Sequence, residues 1–199
     1  MSDILCVTNR TLCQEDFFVR LKKIAACRPY AVILREKDLS EKEYKELAKK
    51  ALAILDTYQV PCILHSYART AIELNRKSIH LPLPLLCGLT DAQKSNFHTI
   101  GASCHSVKEA REAEQLGCTY ITAGHIFDTA CKKGLAGRGT GFLQDICQSV
   151  SIPVYAIGGI TKDNIHSVIK AGAKGACIMS GLMQCDNVPA HFKDLRKGR

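Results

Sequence analysis

His125 stands directly behind the apolar run Cys118-Thr119-Tyr120-Ile121-Thr122-Ala123, at the head of a connection from Gly124 to Gly139. That connection carries Thr129, Cys131, Lys132, Lys133 and Arg138 between glycines. An imidazole takes and returns a proton near neutral pH, its unperturbed pKa being about 6.5. The cations can neutralise an anion, and the glycines let backbone approach a ligand closely. A connection this long inside a compact domain is more often functional than idle. The plainer reading is a solvated loop with a structural histidine and an arginine that clamps it. Two further stretches, Gly158-Gly159-Ile160-Thr161 and Met179-Ser180-Gly181, follow apolar runs and offer bare N–H groups that can hold a phosphate, unless they only permit tight turns. Arg35 and Lys37 follow the apolar run Tyr30–Leu34, and Ser103 and His105 follow another. His65, His80 and His105 invite a metal reading, but no carboxylate accompanies them at useful spacing.

These residues need elements to position them. Strand-like runs are expected at Ile4–Thr8, Tyr30–Leu34, Pro61–Leu64, Ser78–Leu81, Phe97–Gly101, Tyr120–Ala123, Pro153–Ile157 and Gly175–Met179. Helical patterns alternate with them at 14–26, 41–58, 67–75, 107–116, 141–150, 163–171 and 189–195. Ser40 with Glu43 signals a capping box, Gly117 and Gly172 read as C-caps, and Pro82 and Pro84 are expected to break the fourth strand after Leu81. About eight strand–helix units of roughly 25 residues fit a closed barrel, and no Gly-x-Gly-x-x-Gly follows the first strand to suggest an open doubly wound sheet. The expectation is a single-domain (β/α)8 TIM barrel over residues 1–199. In that architecture the loops after the strands converge on one face, which gathers the candidate residues at one rim.

Composition narrows the partners. Hydrophobic residues make up 46% and charged residues 23% of the 199, enough for a sizeable core and too apolar for global disorder. No apolar run approaches the 18–20 or so residues of a membrane span. The first residues run straight into a strand pattern, so a cytoplasmic protein with no membrane partner is expected. The 11 cysteines are dispersed without a C-x-x-C pair, and several sit in apolar runs, as small core hydrophobes do in a reducing compartment. The net charge of +8 admits nucleic acid, a membrane surface or a phosphorylated metabolite. No basic stripe is interleaved with aromatics, which disfavours nucleic acid.

Taken together, the motifs resemble the thiamine phosphate synthase superfamily, and within it the TenI group of thiazole tautomerases. The resemblance is carried by Gly101-Ala102-Ser103-Cys104-His105, by Ala123 through Gly139, by Ile152 through Thr161 and by Met179-Ser180-Gly181. Synthases of this superfamily carry Asn-Asp-Asp after strand three, its last aspartate binding magnesium, and a second such aspartate after strand four. Here the slots read His65-Ser66-Tyr67 and Leu81-Pro82-Leu83-Pro84-Leu85. The synthases' proline after strand six is His125, as in tautomerases, and their Thr-x-Thr-Lys is Thr129-Ala130-Cys131-Lys132. Arg35-Glu36-Lys37 retains the synthase form.

The resemblance implies a thiazole tautomerase of thiamine biosynthesis. Its reaction aromatises the carboxythiazole phosphate released by thiazole synthase, moving a ring proton to the exocyclic carbon without cofactor or metal. It casts His125 as the proton-transferring residue. Arg35, Lys37, Ser103, Thr129, Cys131, Lys132, Arg138, Gly158, Gly159, Met179 and Ser180 become the residues around the substrate. Two alternatives stand beside it: the synthase itself, a transferase, and a non-catalytic barrel that binds a thiamine-related phosphate for regulation. A homodimer is left open, and the residues assign no role to His65, His80 or His105.

Overall fold

A computed structural model describes residues 3–132 and 134–198; Lys133, one of the loop cations, lies outside them. The strands are β1 Asp3–Val7, β2 Ala31–Leu34, β3 Cys62–His65, β4 Ser78–Pro82, β5 Thr99–Cys104, β6 Tyr120–Gly124, β7 Val154–Ile157 and β8 Gly175–Ile178. They pair in parallel in sequence order, and β8 returns to β1 to close the barrel. The helices are α1 Phe17–Ala26, α2 Glu41–Thr57, α3 Ala68–Glu73, α4 Leu83–Cys87, α5 Asp91–Lys94, α6 Val107–Gln115, α7 Gly139–Ser149, α8 Ile165–Lys170, α9 Ser180–Gln184 and α10 Val188–Lys197. The (β/α)8 barrel expected from the alternating runs is the observed fold. No helix among the described residues is long and apolar enough to cross a membrane.

Strand alternation divides the core. Ile4, Cys6, Val32, Leu34, Leu64, Ile79 and Ala102 point outward into the layer between strands and helices. Leu5, Val7, Ala31, Ile33, Ile63, Tyr120, Tyr155 and Cys177 fill the barrel interior. Gly101 makes that interior packing possible, because a Cβ there would collide with the Tyr120 ring. All 11 cysteines are free thiols, with Cys6, Cys62, Cys104, Cys118 and Cys177 buried among apolar neighbours. On the outer face, the Tyr44 hydroxyl donates to the Leu34 carbonyl at 2.7 Å and accepts from the His65 N–H at 2.9 Å. This buried bridge ties α2 to two adjacent strands just below the rim.

Local signals explain most boundaries. Ser40 and Glu43 form the expected capping box, and Gly117 and Gly172 take positive φ where α6 and α8 end. β4 ends at Pro82, as expected, and Pro84 occupies the first turn of α4, where a missing N–H costs no helical hydrogen bond. α5 also went unread, although Thr90 and Gln93 form a second capping box at its start. Met179-Ser180-Gly181 leads at once into α9 rather than extending β8. β5 runs from Thr99 to Cys104 instead of 97–101, since pairing with β4 and β6 holds it extended past Gly101.

Candidate active site

The C-terminal ends of the strands surround one cavity of about 600 Å³. His125, Arg35, Lys37, Ser103, Thr129, Cys131, Lys132, Gly158, Gly159, Met179 and Ser180 all line it. Arg138 does not. Its guanidinium donates to the His105 carbonyl and lies 4.4 Å from the centroid of the Phe142 ring, so it clamps the loop rather than facing the cavity. Thr161 of the Gly158–Thr161 stretch also lines the cavity, and Thr122, Glu109 and His191 do so without having carried a role in the sequence. Thr122 could have been found by the two-residue alternation along β6; His191 could not, because it arrives from α10.

The floor is neutral. The His65 and His80 rings stack with centroids 5.5 Å apart. His80 Nδ1 lies 2.9 Å from the Tyr120 hydroxyl and its Nε2 lies 2.9 Å from the Ser103 hydroxyl. His65 Nδ1 lies 2.6 Å from the Ser66 hydroxyl. Burial pushes the His80 imidazole down to about 3, with Arg35 adding to the shift. Burial, then His80, then Arg35 and Lys37, pushes His65 down to about 2. Both rings are therefore uncharged near neutral pH, and His80 fixes the orientation of Ser103.

The rim is cationic. Arg35, Lys37 and Lys132 line the cavity together, and none meets a carboxylate within ion-pairing distance among the described residues. Burial lowers the pKa of Arg35 and of Lys37, and for Lys37 the charges of Arg35 and Lys132 add to it. Glu36, between them, is turned away: its carboxylate accepts from the Thr8 hydroxyl at 2.7 Å and from the Arg10 N–H at 2.9 Å. Burial raises the Glu36 pKa.

The loop after β6 is built rather than loose. The Ile126 N–H donates to the Ile157 carbonyl and the Phe127 N–H to the Gly158 carbonyl, both at 3.0 Å, which fastens the loop to the end of β7. Asp128 accepts from the Gly137 N–H at 2.6 Å and closes the loop on itself. His125 Nε2 lies 3.2 Å from the Leu135 carbonyl. Gly158 and Gly159 take φ of 104° and 65°, values that glycine adopts readily. A Cβ at Gly158 would strike His125, and one at Gly159 would strike the Asp128 carbonyl. Gly159, Ser180 and Gly181 line the cavity, and among the described residues no hydrogen bond from their N–H groups to a protein acceptor appears outside the regular helices and strands.

The magnesium ion of the synthase chemistry needs oxygen ligands, typically carboxylates. The end of β3 offers His65 and Ser66, and the carboxylate lining the cavity, Glu109, accepts from the His105 N–H at 2.6 Å. Among the described residues no three His, Cys, Asp or Glu side chains gather closely enough to hold a metal ion. The donor set does not fit a magnesium site.

A closed parallel barrel with its polar groups gathered at the strands' C-terminal ends defines a (β/α)8-barrel enzyme of the kind whose chemistry occupies that mouth. Residues 4–182 match the TMP-TENI family, described as thiamine monophosphate synthase, and the chain belongs to this family of thiamine biosynthesis. It is 34% identical over 191 residues to thiamine-phosphate synthase 2 of Streptococcus pneumoniae serotype 4, covering 92% of this chain and 89% of that protein. It is 32% identical over 186 residues to the thiamine-phosphate synthase of Clostridium acetobutylicum, covering 92% and 87%. The solved thiamine phosphate pyrophosphorylase from Pyrococcus furiosus superposes with a TM-score of 0.84 at 27% identity, covering 98% of this chain and 94% of that one. These relatives bear the transferase's name, and the isomerase subtype expected from the sequence finds no support in them.

Proposed function

We propose that this chain is a thiazole tautomerase that aromatises a carboxythiazole phosphate by proton transfer at His125. One observation carries the reading: imidazoles and cations surround the cavity, and among the described residues the cations are unpaired and no cluster of carboxylates stands to hold magnesium. Joining a pyrimidine pyrophosphate to a thiazole phosphate requires the pyrophosphate charge to be neutralised, ordinarily by a divalent ion. Moving a proton between two carbons requires only a base, an acid and a means of holding the substrate. The N–H groups of Gly159, Ser180 and Gly181 suit the phosphate, and Arg35, Lys37 and Lys132 suit the carboxylate. Ser103, Thr129, Cys131 and Met179 supply the remaining wall, and Arg138 keeps the loop on the barrel.

The test follows the non-aromatic tautomer by its ultraviolet or proton spectrum. Wild-type protein should accelerate aromatisation, and His125→Ala should lower kcat roughly 10²–10⁴-fold while changing KM little. An unchanged kcat removes His125 from the reaction. A second reading, thiamine-phosphate synthase, is favoured by the relatives' names and by the retained Arg35-Glu36-Lys37. It predicts magnesium-dependent formation of thiamine phosphate.

A further inference from the structure

We propose that His105 is a second proton-transferring group of this site, working beside His125; the inference rests on the tautomerase reading. The β5–β6 register pairs Ser103 with Thr122 and Cys104 with Ala123. The next residue, His105, therefore falls alongside Gly124 and one step short of His125. His105 Nδ1 lies 2.9 Å from the Gly124 carbonyl oxygen. A carbonyl only accepts, so Nδ1 carries the proton and the neutral ring holds its lone pair on Nε2. His105 is one of the residues lining the cavity. Its main chain is held on both sides, the N–H by the Glu109 carboxylate at 2.6 Å and the carbonyl by the Arg138 guanidinium. His125 is held the opposite way round: its Nε2 faces the Leu135 carbonyl at 3.2 Å, so Nδ1 is the nitrogen left to exchange a proton.

Two histidines with complementary free nitrogens match a reaction that takes a proton at one carbon and delivers one at another. His105 Nε2 takes the proton as the C2–H bond breaks. The electron pair forms the C2–N double bond, the former N–C4 double bond becomes C4–C5, and the exocyclic double bond opens. The exocyclic carbon takes a proton from Nδ1 of a cationic His125. The thiazole leaves aromatic, the two histidines have exchanged charge states, and proton exchange with water restores them.

The experiment compares wild type, His105→Ala and His105→Asn on tautomer deuterated at C2. Asparagine retains a donor for the Gly124 carbonyl but lacks a base at the Nε2 position. Both variants should lose kcat about 10²–10⁴-fold with KM within about threefold, and added imidazole should restore activity to His105→Ala. An asparagine variant within about threefold of wild type would reduce His105 to a positioning residue and overturn the proposal. Substrate-derived deuterium on the exocyclic carbon of the wild-type product would overturn it too, since one base would then serve both carbons. If wild type itself gives no acceleration, the tautomerase reading falls, an outcome separate from either of these.

Discussion

Burial keeps His65 and His80 neutral in the folded chain, whereas each titrates near its ordinary value once unfolded. Between about pH 6.5 and pH 3 the unfolded state therefore binds more protons than the native one, so stability rises with pH through this window and is lost as pH falls through it. Each histidine contributes a slope of up to about 1.4 kcal/mol per pH unit there. Urea unfolding at pH 7 and pH 4.5 should show the loss, and His80→Gln should make the dependence shallower; an equal pH slope in the variant would contradict the assignment. The sequence placed both histidines near the rim without a role. What decides their role is contact across the barrel, His80 to Tyr120 40 residues away and to Ser103 23 residues away, which no local pattern encodes. The place of His125 at the cavity was legible because one strand and one glycine-rich loop frame it. His105 was legible as a rim residue but not as a fixed tautomer.

At the scale of elements, the turn after β7 and the loop after β6 are one unit, joined by the Phe127 to Gly158 hydrogen bond and by close packing at Gly159. The sequence alone suggests that Gly159→Asp would place a charge at the phosphate site and leave the fold intact. The structure corrects this, because the substitution meets both a φ of 65° and the Asp128 carbonyl. Gly159→Asp should cost about 2–4 kcal/mol of stability, visible as a lowered melting temperature. Ser180→Asp, at the start of α9, is the cleaner probe. It should weaken binding of inorganic phosphate at least about tenfold by calorimetry while the melting temperature stays near wild type. Unchanged affinity would move the anion site elsewhere. The β-strands were readable because each is a short apolar run between turn residues. The four- and five-residue helices α4, α5 and α9 were not, being too short to show a helical period.

For the whole molecule, the charge of +8 and the cations Arg35, Lys37 and Lys132 make the mouth attractive to a substrate bearing phosphate and carboxylate. Affinity for such a substrate should fall as salt rises from about 0.05 to 0.5 M, a range over which the Debye length shortens severalfold; a salt-independent KM would leave the cationic rim without a part in binding. Barrel and rim followed from the order of strands and the residues behind each one. The choice between isomerase and transferase did not, because both occupy the same mouth and differ in a few side chains at the ends of β3 and β4 and in the loop after β6. The most direct measurement supplies the protein with the non-aromatic thiazole tautomer in one reaction, and with the pyrimidine pyrophosphate plus the aromatic thiazole phosphate in another, each with magnesium and with chelator. A tautomerase should show accelerated aromatisation that the chelator leaves unchanged and no thiamine phosphate above background. Magnesium-dependent thiamine phosphate at an enzyme's turnover, with no acceleration of aromatisation, would contradict it.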